Sequence, residues 1–153
     1  MKTLGLYIHI PFCKKKCDYC DFVSFSGKDQ NIEFYFKALK LEIEKSSIEA
    51  KDYFIDTIYF GGGTPSYIES KYLIDILNVI KENYNILQNA EITIEVNPGS
   101  VTEEKLKSYK EVGINRLSIG LQSTKDRLLK LIGRIHNYNE FLETYRLAKQ
   151  IRI

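Results

Sequence analysis

Four strand-like runs, at residues 4–10, 55–60, 92–97 and 116–121, are each followed by a helix-like stretch, and this alternation leaves few folds open. Strands and helices in strict succession predict an α/β chain with a parallel sheet and right-handed crossovers. The helical period predicts a helix over 31–46 with Phe34, Ala38 and Leu41 on one face, and another carrying Tyr72, Leu73, Ile76, Leu77 and Ile80. Ser66 and Glu69 have the spacing of a capping box at the head of that second helix. Thr102 reads as an N-cap and Gly113 as the residue beyond the C-terminus of a third helix. A short helix over 126–131 and a last one capped by Asn137, with Glu140 three residues on, complete the pattern. No repeat or linker interrupts it, so one domain is expected.

The strands carry a second message. A parallel sheet buried on both faces is built from continuous apolar runs, but here the side chains alternate. Leu4, Leu6, Ile8 and Ile10 oppose Gly5, Tyr7 and His9. Ile92, Ile94 and Val96 oppose Thr93, Glu95 and Asn97, and Leu117, Ile119 and Leu121 oppose Ser118, Gly120 and Gln122. The apolar faces need the helices as cover. The polar faces must line something wet or ligand-filled, because unpaired polar groups are costly in a dry interior. A sheet curled around a cavity meets both demands and would bring Tyr7, Glu95 and Gln122 inward together.

All three cysteines of the chain fall within eight residues, as Cys13-x3-Cys17-x2-Cys20. An odd, clustered set does not make a disulfide framework and points to a metal or redox centre in a reducing compartment. Thiolates suit an iron–sulfur cluster, zinc or copper(I). A [4Fe–4S] cluster is usually held by about four cysteines, so three would leave one iron open to a ligand. A structural zinc ion with His9 as fourth ligand is the other reading, and spacing alone leaves both open. Lys14, Lys15 and Lys16 would offset the negative charge of the thiolates. The net charge of +2 is too small to imply nucleic acid, and no apolar run approaches the ~20 residues of a membrane span. A cytoplasmic location is expected.

Gly61-Gly62-Gly63 lies between a strand and a helix, where glycines let a backbone approach a ligand closely. Taken alone, it reads equally as a tight turn. Parallel sheets bind ligands at the carboxyl ends of their strands. The cysteine loop, the glycines, Pro98-Gly99 and Gln122 follow or end the four strands, so all are expected at one rim. Singly, Glu95 reads as a salt-bridged structural carboxylate and Gln122 as a strand-end residue bonded to local backbone. Arg134 is either a solvated helix-end charge or the fork that a ligand carboxylate wants. His136 is expected at the surface.

The runs Tyr7-Ile8-His9-Ile10-Pro11-Phe12-Cys13, Cys17-Asp18-Tyr19-Cys20, Tyr59-Phe60-Gly61-Gly62-Gly63-Thr64-Pro65, Ile94-Glu95-Val96-Asn97-Pro98 and Leu117-Ser118-Ile119-Gly120-Leu121-Gln122-Ser123 together resemble the radical SAM (S-adenosylmethionine) superfamily. Within it they are most similar to the branch of oxygen-independent coproporphyrinogen III oxidases and heme chaperones. The resemblance implies a partial TIM-type (β/α)6 barrel, of which residues 1–153 would be the amino-terminal part, about four βα units, with further strands and a carboxy-terminal domain lying outside. It implies a [4Fe–4S] cluster on Cys13, Cys17 and Cys20, chelated at its open iron by SAM and cleaving it reductively to a 5′-deoxyadenosyl radical. Tyr7, Tyr19, Gly62, Gly63, Thr64, Glu95, Gln122 and Arg134 fall where the family contacts SAM; no catalytic residue is assigned. Heme or a porphyrinogen, and an electron donor such as flavodoxin or ferredoxin, are the implied partners, with the heme-binding residues largely outside this chain. The oxidases carry a further cysteine where this chain has Phe22, and a long arm ahead of the first cysteine, here residue 13. Both departures favour a heme chaperone over an oxidase. The isolated chain is expected to be poorly active.

Overall fold

The computed structural model describes Met1–Ile153. Its first half runs β1 (Lys2–Ile10), β2 (Phe12–Cys13), β3 (Phe25–Ser26), α1 (Ile32–Ser46), β4 (Tyr53–Gly62) and α2 (Ser70–Asn83). The second half runs β5 (Asn85–Val96), α3 (Glu103–Glu111), β6 (Arg116–Ile119), α4 (Asp126–Leu131) and α5 (Tyr138–Ile151). β1, β4, β5 and β6 form one sheet in that order, and every neighbouring pair is parallel. The α/β architecture expected from the alternation is therefore the one observed. β2 and β3 make a separate parallel pair that closes the base of the cysteine loop.

The apolar strand faces meet the helices as the alternation requires. Ile8, Ile10, Ile55, Ile58, Phe60, Ile92, Ile94 and Val96 join Leu73, Ile76, Leu77 and Ile80 of α2 and Leu106 and Tyr109 of α3 in one buried cluster. Each large aliphatic side chain so buried contributes roughly 1.5–3 kcal/mol. The register jumps from Leu4↔Ile55 to Gly5↔Thr57, which leaves Asp56 as a bulge and returns Ile58 and Phe60 to the buried side with Ile55. Thr102 caps α3 by accepting from Lys105 N, and Gly113 follows that helix with φ 101°. Asn137 and Glu140 form a complete capping box on α5.

Three local expectations are corrected. On α1 the buried residues are Phe36, Leu39 and Ile43, whereas Phe34 is 77% and Leu41 56% exposed. Two stripes of helical spacing compete there. The winning one also carries Ile32 and Tyr35, packed against the core, and stacks Phe36 on Tyr72 of α2 at 4.9 Å between ring centroids.

Ser66 does not cap α2, which starts at Ser70 with Glu69 before it. Ser66 is fully buried in a 3-10 turn, where its Oγ accepts from Asn97 N at 3.1 Å and pairs with Ser100 Oγ at 2.6 Å. A non-local backbone partner thus takes the hydroxyl that a cap would have used. β5 begins at Asn85, seven residues earlier than its alternating part, and β6 ends at Ile119, before Leu121.

Tyr109 is fully buried, and its hydroxyl has no hydrogen-bond partner. Burial pushes its ionisation well above the ordinary tyrosine range, so the group stays a neutral, unsatisfied hydroxyl. Removing an unsatisfied buried polar atom relieves its desolvation cost. Tyr109→Phe is expected to leave the chain as stable or raise its stability by about 1 kcal/mol, read from urea unfolding; a loss of that size would reveal a partner for the hydroxyl.

Candidate active site: a thiol-lined cavity at the sheet rim

The carboxyl ends of the strands build the site. Beyond the end of the sheet, Gly63 N donates to Ile10 O at 2.8 Å and Thr64 N to Phe12 O at 2.8 Å. These bonds carry the β1–β4 pairing into the loops and set the glycine run against Cys13. A Cβ on Gly63 would lie 2.8 Å from Cys13 Sγ, and one on Gly62 2.8 Å from the His9 ring; Gly62 also adopts φ 115°. Only glycine fits at both positions. The cysteine loop is tied down by Asp18 N on Ile132 O, by the Cys20 N–Cys17 O turn and by Phe25 N on Pro11 O.

The result is one cavity lined by Cys13, Cys17 and Cys20 together with Tyr19, Gly62, Gly63, Thr64, Glu95, Gln122 and Arg134. Of the cysteines and the eight residues matched to SAM contacts, Tyr7 alone stands outside this lining; Pro98-Gly99 lines a neighbouring cavity instead. Tyr7 lies beside the cavity on the same sheet face, half exposed, stacked on Tyr59 at 6.1 Å. Gln122 is held at φ 66°, a left-handed conformation uncommon for a residue with a side chain and typical of constrained functional positions.

Hydrogen bonds join these groups in sequence. Thr64 Oγ1 donates to Cys13 Sγ at 3.6 Å and accepts from Asn97 Nδ2 at 3.0 Å. Asn97 Oδ1 accepts from Arg134 Nη2 at 2.8 Å, which also bonds Gly120 O at 2.9 Å. Arg134 Nη1 points to Cys17 Sγ at 3.7 Å and to the Tyr19 hydroxyl at 3.4 Å. Burial raises the Tyr19 ionisation, opposed by the guanidinium.

Glu95 is not salt-bridged, contrary to the structural reading. Its Oε1 accepts from the Tyr59 hydroxyl at 2.8 Å and its Oε2 from Gly62 N at 3.2 Å. Burial, and then the bond to Glu95, keep Tyr59 protonated as that donor. Arg134 has no carboxylate partner either. The cavity therefore presents one carboxylate and one guanidinium, each without a counter-ion.

The three cysteines are free thiols, whereas His9 is engaged. His9 Nδ1 meets the Tyr7 hydroxyl at 3.2 Å and its Nε2 meets Val23 O at 2.8 Å, so both ring nitrogens are engaged. No three His, Cys, Asp or Glu side chains converge on one point as a lone ion demands. Three free thiols spread around a cavity wall fit a polynuclear cluster, whose ligands bind different iron atoms.

His136, expected at the surface, is only 5% exposed. Its Nδ1 accepts from Arg134 Nε at 3.3 Å and its Nε2 bonds Leu121 O at 3.2 Å. Arg134 lies only two residues away, but Leu121 lies fifteen away, and the burial that brings both onto the ring is tertiary. In the sequence Asn97 stands on the polar strand face and in the run Ile94–Pro98, but nothing local marks it as the hub between Thr64 and Arg134.

Burial first, and the Arg134 charge second, hold the His136 ionisation below the usual imidazole value. A depressed pKa means that the unfolded chain binds the proton more readily. The stability this imidazole contributes is therefore full above pH ~6.5 and lost as pH falls through the folded value. Thermal melts of His136→Gln are expected to decline less steeply than wild type on acidification below that point; parallel curves would contradict the assignment.

Residues 7–153 match the radical SAM superfamily. The chain is 42% identical over 152 residues to the heme chaperone HemW of Buchnera aphidicola subsp. Schizaphis graminum, covering 99% of this chain and 40% of that protein. It is 38% identical to HemW of Escherichia coli, covering 97% of this chain and 39% of the other. The chain thus spans about two fifths of the length of these relatives. The solved coproporphyrinogen III oxidase HemN of Escherichia coli, described as a radical SAM enzyme, superposes with a TM-score of 0.91 at 29% identity, over 98% of this chain and 35% of that one. No helix is long and apolar enough to cross a membrane. On the strength of a match over nearly its whole length, the chain belongs to the radical SAM superfamily.

Proposed function

We propose that this chain is the cluster- and SAM-binding part of a heme chaperone of the HemW type. Cys13, Cys17 and Cys20 would hold a [4Fe–4S] cluster with one iron open, and SAM would chelate there. The observation that supports this most is the meeting of the cysteine and glycine loops in one cavity, sealed by Thr64 on Cys13 and Arg134 on Cys17. In this superfamily the bound cluster supplies the electron for reductive cleavage of SAM.

The chain's own residues account for recognition. Glu95, pre-oriented by Tyr59 and Gly62 N, offers an acceptor to the ammonium of an amino acid moiety. Arg134, whose N–H groups are engaged by His136, Asn97, Gly120, Cys17 and Tyr19, offers the carboxylate its positive charge. Those two opposite charges, unpaired across one cavity, suit a zwitterion. Gly62 and Gly63 leave the backbone bare where a ligand must pass close, and Tyr7, Tyr19 and Gln122 stand at the margins. A cytoplasmic setting, which keeps thiols reduced, suits such a centre, as would a one-electron donor of the flavodoxin or ferredoxin kind.

Phe22 stands where the oxidases carry their further cysteine. It is 64% exposed on the cavity wall, and this supports the chaperone reading. The close superposition on the oxidase HemN supports a second reading, oxidative decarboxylation of coproporphyrinogen.

Anaerobic reconstitution is expected to load about four iron and four sulfide per chain, with a broad absorption that bleaches on reduction. One zinc and no iron would reject the proposal. Replacing any one of Cys13, Cys17 or Cys20 by alanine is expected to cut iron loading severely, and Glu95→Gln to weaken SAM binding about tenfold by equilibrium dialysis, the loss of one charge-assisted bond. Heme binding without porphyrinogen turnover separates the chaperone from the oxidase.

A further inference from the structure

The direction of every proton in the polar chain between Cys13 and Cys17 follows from one residue that is only a donor. Arg134 has no acceptor atom, so the amide oxygen of Asn97 must face it, at 2.8 Å. The amide nitrogen then faces the other way and donates to Thr64 Oγ1 at 3.0 Å. With a lone pair so engaged, the single hydroxyl proton of Thr64 is left for Cys13 Sγ, at 3.6 Å. Thr64 is only 5% exposed, so solvent offers little competition. The guanidinium is anchored at its far side, where Nε donates to His136 Nδ1; the His136 proton is thereby on Nε2, directed at Leu121 O. Asn97 itself is held through its backbone N–H on the buried Ser66 hydroxyl. The amide side chain has no slack: reversing it would break both bonds.

We propose that Asn97 is a positioning residue for the cluster, aiming the Thr64 hydroxyl at Cys13 and steadying the Arg134 fork at Cys17. Two of the three sulfur ligands then each receive a hydrogen bond from a group that this one amide holds in place. Donors directed at ligand sulfur stabilise the more negative, reduced form of an iron–sulfur centre and raise its potential. The inference rests on the cluster reading of the cysteines.

The test is the midpoint potential of the reconstituted cluster, measured without SAM and at matched iron content. Thr64→Val, Asn97→Ala and the double variant are each expected to be more negative than wild type. The two single shifts should add to more than the double shift, because Asn97 acts partly through the Thr64 hydroxyl. Thr64→Ser, which keeps the donor, is expected to stay near wild type. Should Asn97→Ala fail to load iron, Thr64→Val against Thr64→Ser still tests the Cys13 arm. Unmoved potentials in a loaded protein, or shifts that add fully, would overturn the proposal while leaving the cluster reading intact. A wild-type chain that takes up no iron would overturn the cluster reading and this inference with it.

Discussion

Two backbone hydrogen bonds past the end of the sheet, Gly63 to Ile10 and Thr64 to Phe12, are the constraint on which the rest of the site depends. They extend the pairing of two parallel strands into segments that are no longer strands. That extension brings the glycine run within van der Waals reach of Cys13. The closeness is affordable only without a Cβ at Gly63 and with the left-handed turn at Gly62. Once the two loops are joined, Thr64 lies against a thiol and beside Asn97, and the polar chain across the rim can close.

The electrostatics of the cavity follow from the same geometry. Glu95 points into it from β5 and Arg134 reaches it from the turn after α4, yet the two do not neutralise each other. Each is instead held by neutral partners: Tyr59 and Gly62 for the carboxylate; Asn97, Gly120 and His136 for the guanidinium. Opposite charges kept apart by such scaffolding remain uncompensated and so retain their electrostatic pull on a ligand. A direct ion pair would have spent it on stability, with modest return for a half-exposed pair.

Legibility varied with the range of the interaction. The cysteine triplet announced itself because the chemistry of soft ligands needs only their identity and spacing. The capping box at Asn137 and the cap at Thr102 were readable because donor and acceptor lie three residues apart. The face of α1 was misread because two stripes share one period and only the neighbour, Tyr72 of α2, chooses between them. Ser66 looked like a cap by the same local rule, but a backbone N–H 31 residues away claimed its hydroxyl.

By itself, then, the sequence determined the alternation of strands and helices, the sheet's apolar side, the cysteine triplet and the glycine loop, since each is a matter of period, spacing or residue type. Tertiary structure alone decided that Glu95 is unpaired, that His136 is buried behind Arg134, and that Asn97 links the groups on two cysteines. Those outcomes depend on hydrogen bonds between side chains tens of residues apart. Their direction is set by which partner can only donate, a property that no local pattern in the chain records.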